Sequence, residues 1–175
     1  FVATPDLVER RRLTFNDVDN PQAGGTLELL LDGSEAIGLS KPDNLTFDRD
    51  GINLLIQEDP GNNAHVARIV AYRVTDGATA TVAAFDGALF DPAIAGADLI
   101  TTDEESSGII DVSDIYNVTP TTVEEANLQA DRRAKGGKFL FDAQVHTSNG
   151  LDDPAAQVQR GQMLLLEILD WEDVY

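Results

Sequence analysis

With 175 residues, 31 Asp plus Glu against 12 Lys plus Arg, and two histidines, the chain carries a formal charge of −19. A phosphate backbone is bound by clustered cations, so this balance argues against nucleic acid as a partner. Hydrophobic residues make up 42% of the chain, the share of an ordinary globular domain, so disorder is excluded and residues 1–175 are expected to form one domain with a real core.

Asp outnumbers Glu by 21 to 10, and only Lys41, Lys135 and Lys138 are lysines. Asp is a short, hard oxygen ligand and a turn former, so its excess suits calcium, a saline exterior, or simple solubility. The chain contains no cysteine, which removes both a disulfide framework and a thiolate metal site. No apolar run approaches the roughly 20 residues that cross a bilayer, so no membrane span is expected. Residues 1–6 lack the basic and apolar regions of a signal sequence. If the protein is exported, its signal has already been removed.

Period-2 alternation and short apolar runs dominate, which predicts strands rather than helices. In chain order they fall at residues 12–15, 26–31, 45–48, 52–57, 67–74, 80–85, 108–112, 138–146 and 162–169. The Asp48-Arg49-Asp50-Gly51 segment joins two runs at hairpin spacing, and Gly24-Gly25, Asp32-Gly33 and Asp76-Gly77 tolerate the positive φ that tight turns need. Residues 92–97 read as a loop. Thr121 and Thr122 followed by Glu124 and Glu125 predict a capped surface helix, and Asp153-Pro154 predicts a start of one or two further helical turns.

The fold class is therefore all-β. Short strands with tight Asp and Gly turns suit a sandwich or, equally, blades of antiparallel strands in a β-propeller carrying one or two short helices. A blade uses about 40 to 50 residues, so a chain of this length supplies about three to four, and a propeller built from it alone is incomplete. Open strand edges would then pair with further blades or with another copy.

Two blocks are rich in hard oxygen. Asp43 and Asn44 precede one strand, while Gln57, Glu58 and Asp59 end its hairpin partner, so antiparallel pairing carries both groups to one end of a sheet. Calcium takes six to eight such oxygens. In the second block, Asp103, Glu104 and Glu105 are adjacent and repel unless solvated, protonated or bound to metal. Along the run 142–146, alternation places Asp142, Gln144 and His146 on one face and Ala143 and Val145 on the other. His146 is thus a satisfied structural histidine, a ligand or a proton-transfer group. His65 lies in a loop that could border the first block. Asn44-Leu45-Thr46 and Asn117-Val118-Thr119 match the glycosylation sequon, and Arg10, Arg11 and Arg12 pair more readily with local carboxylates than with phosphate. No nucleophile elbow, Walker loop or His-Glu-x-x-His motif is present.

Several strings taken in order resemble the PhoX-like bacterial alkaline phosphatases and phytase-like propellers. They are Leu13-Thr14-Phe15-Asn16-Asp17-Val18, Gln57-Glu58-Asp59-Pro60-Gly61-Asn62-Asn63, Asp103-Glu104-Glu105-Ser106-Ser107-Gly108 and Phe139-Leu140-Phe141-Asp142-Ala143-Gln144-Val145-His146. The resemblance implies a secreted β-propeller, periplasmic or extracellular, that hydrolyses phosphoric esters at calcium held by carboxylates. It implies that this chain corresponds to the C-terminal portion of longer proteins, and that a full site needs the preceding blades. Iron, used by some members through a cysteine, finds no such residue here. On this resemblance Asp43 and Asn44 are metal or substrate-side groups, Glu58 and Asp59 are calcium ligands, and Glu104 is a carboxylate at the central channel, serving as metal ligand or catalytic group. Arg68 is assigned to a phosphate oxygen by residue type alone, because a guanidinium can grip it bidentately. The other reading is a non-catalytic, calcium-stabilised extracellular module that assembles through its open edges.

Overall fold

The computed structural model describes residues 10–61, 65–116, 119–153, 155–157 and 159–175. Nine strands are present among them, each overlapping one of the nine predicted runs. They are β1 (Arg10–Phe15), β2 (Gly25–Leu31), β3 (Pro42–Phe47), β4 (Asn53–Glu58), β5 (Arg68–Arg73), β6 (Thr79–Ala84), β7 (Glu104–Asp111), β8 (Gly137–Val145) and β9 (Arg160–Ile168). All pairs are antiparallel: a two-stranded ribbon β1–β2, a four-stranded meander β3–β4–β5–β6 and a three-stranded meander β7–β8–β9. The described residues form no closed barrel, and none of their helices is long and apolar enough to cross a membrane.

The turn chemistry explains the hairpins. At the β3–β4 turn the buried Asp48 carboxylate accepts from the Ile52 and Asn53 amides at 2.8 and 3.1 Å and from the Asn53 side chain at 2.6 Å. Gly51 closes that turn at φ 69°, a left-handed conformation that costs glycine nothing.

The four-stranded sheet is covered on both faces. One face presents Leu55, Ile69 and Ala71 to Ile109, Phe139, Phe141 and Ile168 of the three-stranded sheet. The other presents Leu54, Ile56, Val70 and Tyr72 to Leu31 and Leu39. Every residue of β4 is consequently buried, which is why its sequence reads as a continuous apolar run rather than an alternation. Burial of β4 also carries three polar side chains inward, Asn53, Gln57 and Glu58. Gln57 accepts from the Ile109 amide at 3.1 Å and bonds one sheet to the other.

Strand β7 starts at Glu104, four residues before the predicted run at Gly108. Three carboxylates and two serines in a row read as a solvated loop, yet alternation turns Glu104 and Ser106 inward while backbone pairing to β8 fixes the extended conformation. Helix α1 (Gly87–Phe90) is a single turn capped by Asp86, in a stretch with no helical periodicity. Helix α2 (Val123–Lys135) is capped as predicted: Thr122 accepts from the Glu125 amide, and Glu125 reaches back to complete the capping box. None of its residues is buried, and it is held by edge contacts such as Arg133 to Asp114 at 2.6 Å. Of the second predicted helix start, Pro154 lies outside the described residues.

The C-terminal segment closes the core from one side. Trp171 packs edge-on against Phe139 with centroids 6.1 Å apart, and the Tyr175 hydroxyl donates to Asn53 at 3.0 Å under the Arg73 guanidinium. Phe139 is fully buried at the centre of this contact. Phe139→Ala is expected to destabilise the protein by about 3–5 kcal/mol, measured as a lower urea midpoint.

Candidate functional site

The site grows out of strand ends. Pro42 pairs with Glu58, and Glu104 pairs with Val145. Because β7 packs across β3 and β4, the start of β3, the end of β4, the start of β7 and the residue after β8 gather at one end of the molecule.

Glu58 is fully buried. Its carboxylate accepts from Arg68 Nε at 2.8 Å and Nη2 at 2.7 Å, a bidentate pair, and from the Ser40 amide at 2.7 Å. Arg68 also donates to the carbonyls of Ile37 and Gly38 at 3.1 and 2.8 Å. Four of its five guanidinium N–H groups are thereby engaged. The pair staples the 37–41 loop to the sheet, and a phosphate contact through Arg68 would rest on its one remaining N–H. His65 Nδ1 lies 3.9 Å from Glu58.

Alternation splits the acidic triplet of β7. Glu104 turns inward, 3% exposed, and accepts from the Ala67 amide at 2.9 Å. Burial pushes its carboxyl above the ordinary carboxyl range, and the nearby Asp103 and Asp91 add to that. Asp103 and Glu105 turn the other way, toward His146. The imidazole sits between them, with Nδ1 3.5 Å from Asp103 and Nε2 3.3 Å from Glu105, the second contact off the line of a hydrogen bond. The His146 amide donates to the Asp103 carbonyl at 3.1 Å, and the Thr101 hydroxyl donates to the His146 carbonyl at 3.3 Å.

Asp59 completes the group from the other sheet. Burial raises the Glu105 carboxyl first, the nearby Asp59 raises it further, and His146 pulls it back. Lys41 frames the loop: it donates to the carbonyls of Pro60 and Gly61 at 2.8 and 3.3 Å, and its own backbone lies at φ 40°. Gly61 lets the loop close, since a Cβ there would stand 3.2 Å from Asp103 Oδ1 on a backbone at φ 41°.

Of the residues expected from the sequence, Asp59 and His146 come together, with Glu58 and Glu104 buried and Arg68 half-buried behind them. Asp43, exposed, and Asn44, half-buried, stand apart on β3, bonded to each other at 2.6 Å. Asn62 and Asn63 lie outside the described residues. Asp103 and Glu105, which the sequence reading left within an acidic block, are central here. The signal that would have found them is the same period-2 alternation that singled out His146, applied to 103–105 as a strand. Among the described residues no three His, Asp or Glu side chains stand as a formed metal-ligand group. In donor type, Asp59, Asp103 and Glu105 suit a hard cation, and their mutual repulsion is what such a cation relieves.

The chain matches no family model, no curated protein and no solved structure.

The buried pair and the buried acid respond differently to substitution. Arg68→Gln leaves Glu58 as an uncompensated buried charge, so a loss of about 3–5 kcal/mol is expected, with much of it recovered in Glu58→Gln/Arg68→Gln; urea unfolding of the three proteins measures both. Glu104 binds its proton more tightly folded than unfolded, so its contribution to stability is present at low pH and is lost as pH rises through its raised value. Glu104→Gln keeps the acceptor for the Ala67 amide. Its advantage over the parent in melting temperature should grow from acid toward neutral pH.

Proposed function

We propose that the protein is a calcium-assisted phosphoric ester hydrolase of the PhoX-like or phytase-like kind, acting in the periplasm or outside the cell. Its two meanders are blades of a propeller that this chain alone leaves incomplete. The observation that carries the reading is His146 set between the carboxylates of Asp103 and Glu105 at 3.5 and 3.3 Å, with Asp59 near Glu105. Folding has placed like charges together at a strand end, a costly arrangement that ordinary solvation of an acidic loop does not require.

In this reading Asp59, Asp103 and Glu105 hold calcium, and Glu104 lends negative potential from behind. When bound, the cation offsets the repulsion between an acidic protein and an anionic ester and polarises the phosphoryl oxygens. His146, held between two carboxylates, is the residue positioned to move a proton to or from the ester or its attacking water. Asp43 and Asn44, near the start of β3, are the substrate-side groups. The Glu58–Arg68 pair holds the loop that frames the site.

A second reading is a calcium-stabilised extracellular module without catalysis, assembled through its edges. It is favoured by the apolar side chains the sheets leave in solvent: Leu13, Phe15, Leu27 and Leu29 on the β1–β2 ribbon, Phe47 on β3 and Met163 on β9. Such residues on open strands mark surfaces that pair with another chain.

Calcium should raise the melting temperature at neutral pH, and both Asp59→Asn and Glu105→Gln should abolish the rise. Turnover of p-nitrophenyl phosphate should be calcium-dependent and lost in EDTA. A calcium-induced rise without turnover, accompanied by a larger species in size-exclusion chromatography, selects the assembly module. Turnover indifferent to EDTA overturns the metal-assisted hydrolase.

A further inference from the structure

A cavity of about 530 Å³ lies between the two meanders, on the face of β7 opposite Asp103 and Glu105. Its volume falls in the range of small-molecule sites, roughly 300–1,000 Å³. One wall is the inner face of the three-stranded sheet, and register orders that wall into rows. Phe141 pairs with Leu164, then Ser106 with Ala143 and Ala143 with Gln162, then Val145 with Arg160. All of these residues line the cavity, so the wall runs from apolar through neutral polar to cationic. The facing wall, from β5, β6 and α1, is apolar apart from Arg68, whose guanidinium is taken by Glu58, and includes Phe85 and Phe90, which hold each other edge-on with centroids 5.2 Å apart.

The side chains of Ser106 and Arg160 on this wall lack hydrogen-bond or ion-pair partners among the described residues. Ser106 is 2% exposed, and its hydroxyl has no hydrogen-bond partner among the described residues. A buried hydroxyl left so costs free energy that a ligand atom can recover. Arg160 forms no ion pair among the described residues in a chain of formal charge −19, whereas Arg12, Arg49, Arg68, Arg73, Arg132 and Arg133 each meet a carboxylate. Its guanidinium lies beside Gly150, where a Cβ would stand 3.2 Å from Nη2. The nearest acid in register, Glu104, lies across Val145 in the same row, is not among the lining residues, and accepts from the amide of Ala67.

We propose that this cavity binds a small amphipathic carboxylate, with a medium-length alkyl body between the two sheets, its head group on Arg160 and an oxygen accepting from Ser106. A guanidinium fork matches a planar carboxylate, and the apolar end of the wall excludes a ligand that is charged throughout. The site is separate from the acidic cluster and does not depend on its function.

Isothermal titration of the purified protein with decanoate, decanol and butyrate tests this. Decanoate should bind saturably at one site per chain, with decanol and butyrate each at least roughly tenfold weaker, the scale of one charge-assisted contact or a lost apolar body. Arg160→Gln, a change at an exposed position that leaves the core intact, should weaken decanoate about tenfold and leave decanol unchanged. Leu164→Trp, which fills the apolar end, should abolish decanoate binding in a variant whose circular dichroism matches the parent. No saturable decanoate binding, an undiminished affinity in Arg160→Gln, or a loss caused instead by Leu27→Ser on the exposed ribbon would each overturn the assignment.

Discussion

A strand buried on both faces has no solvent side on which to place a charge, and the architecture follows from how β4 meets that constraint. Its last residue, Glu58, enters the interior as a carboxylate and is matched there by Arg68 from the adjacent strand and by the Ser40 amide. A buried pair of this kind contributes little net stability compared with an apolar pair, but it is exacting about geometry. Here the demand for geometry fixes the 37–41 loop, since the same guanidinium also binds the carbonyls of Ile37 and Gly38. Anchoring that loop places Leu39 over one face of the sheet and sets Lys41 beside the 59–61 loop.

The three-stranded sheet completes the arrangement. It packs Ile109, Phe139, Phe141 and Ile168 against the free face of the four-stranded sheet and joins it through Gln57. Because apolar packing sets the depth at which β7 sits, alternation along that strand sorts its polar residues into two environments. Glu104 and Ser106 face the interior and the cavity, whereas Asp103 and Glu105 face His146 and Asp59. One strand thus separates an acidic, water-accessible cluster from a mostly apolar cavity lined by two arginines, Arg68 held by Glu58 and Arg160 without an ion pair among the described residues. The two places have opposite electrostatic character, and each suits a different class of ligand.

Much of the β framework was legible before folding was considered. Alternation, Asp–Gly turns and the Thr122–Glu125 cap are local codes, and each operates within a few residues. The β7 start was misread because the local composition of 103–107 favours solvent; only pairing with β8 overrides it. Asp43 and Glu58 were grouped because they share a sheet end, and they do share one, yet the exposed face of β3 keeps Asp43 out of the cluster.

By itself the sequence determined that the chain is acidic, rich in β structure, free of thiol chemistry and furnished with oxygen-rich segments at strand ends, because composition and short-range periodicity carry that information. Tertiary structure alone decided which carboxylates meet, that Arg68 is consumed by Glu58, and that Ser106 and Arg160 share a cavity. Those outcomes depend on which sheet face is buried and against what, and the packing of side chains distant in sequence settles that.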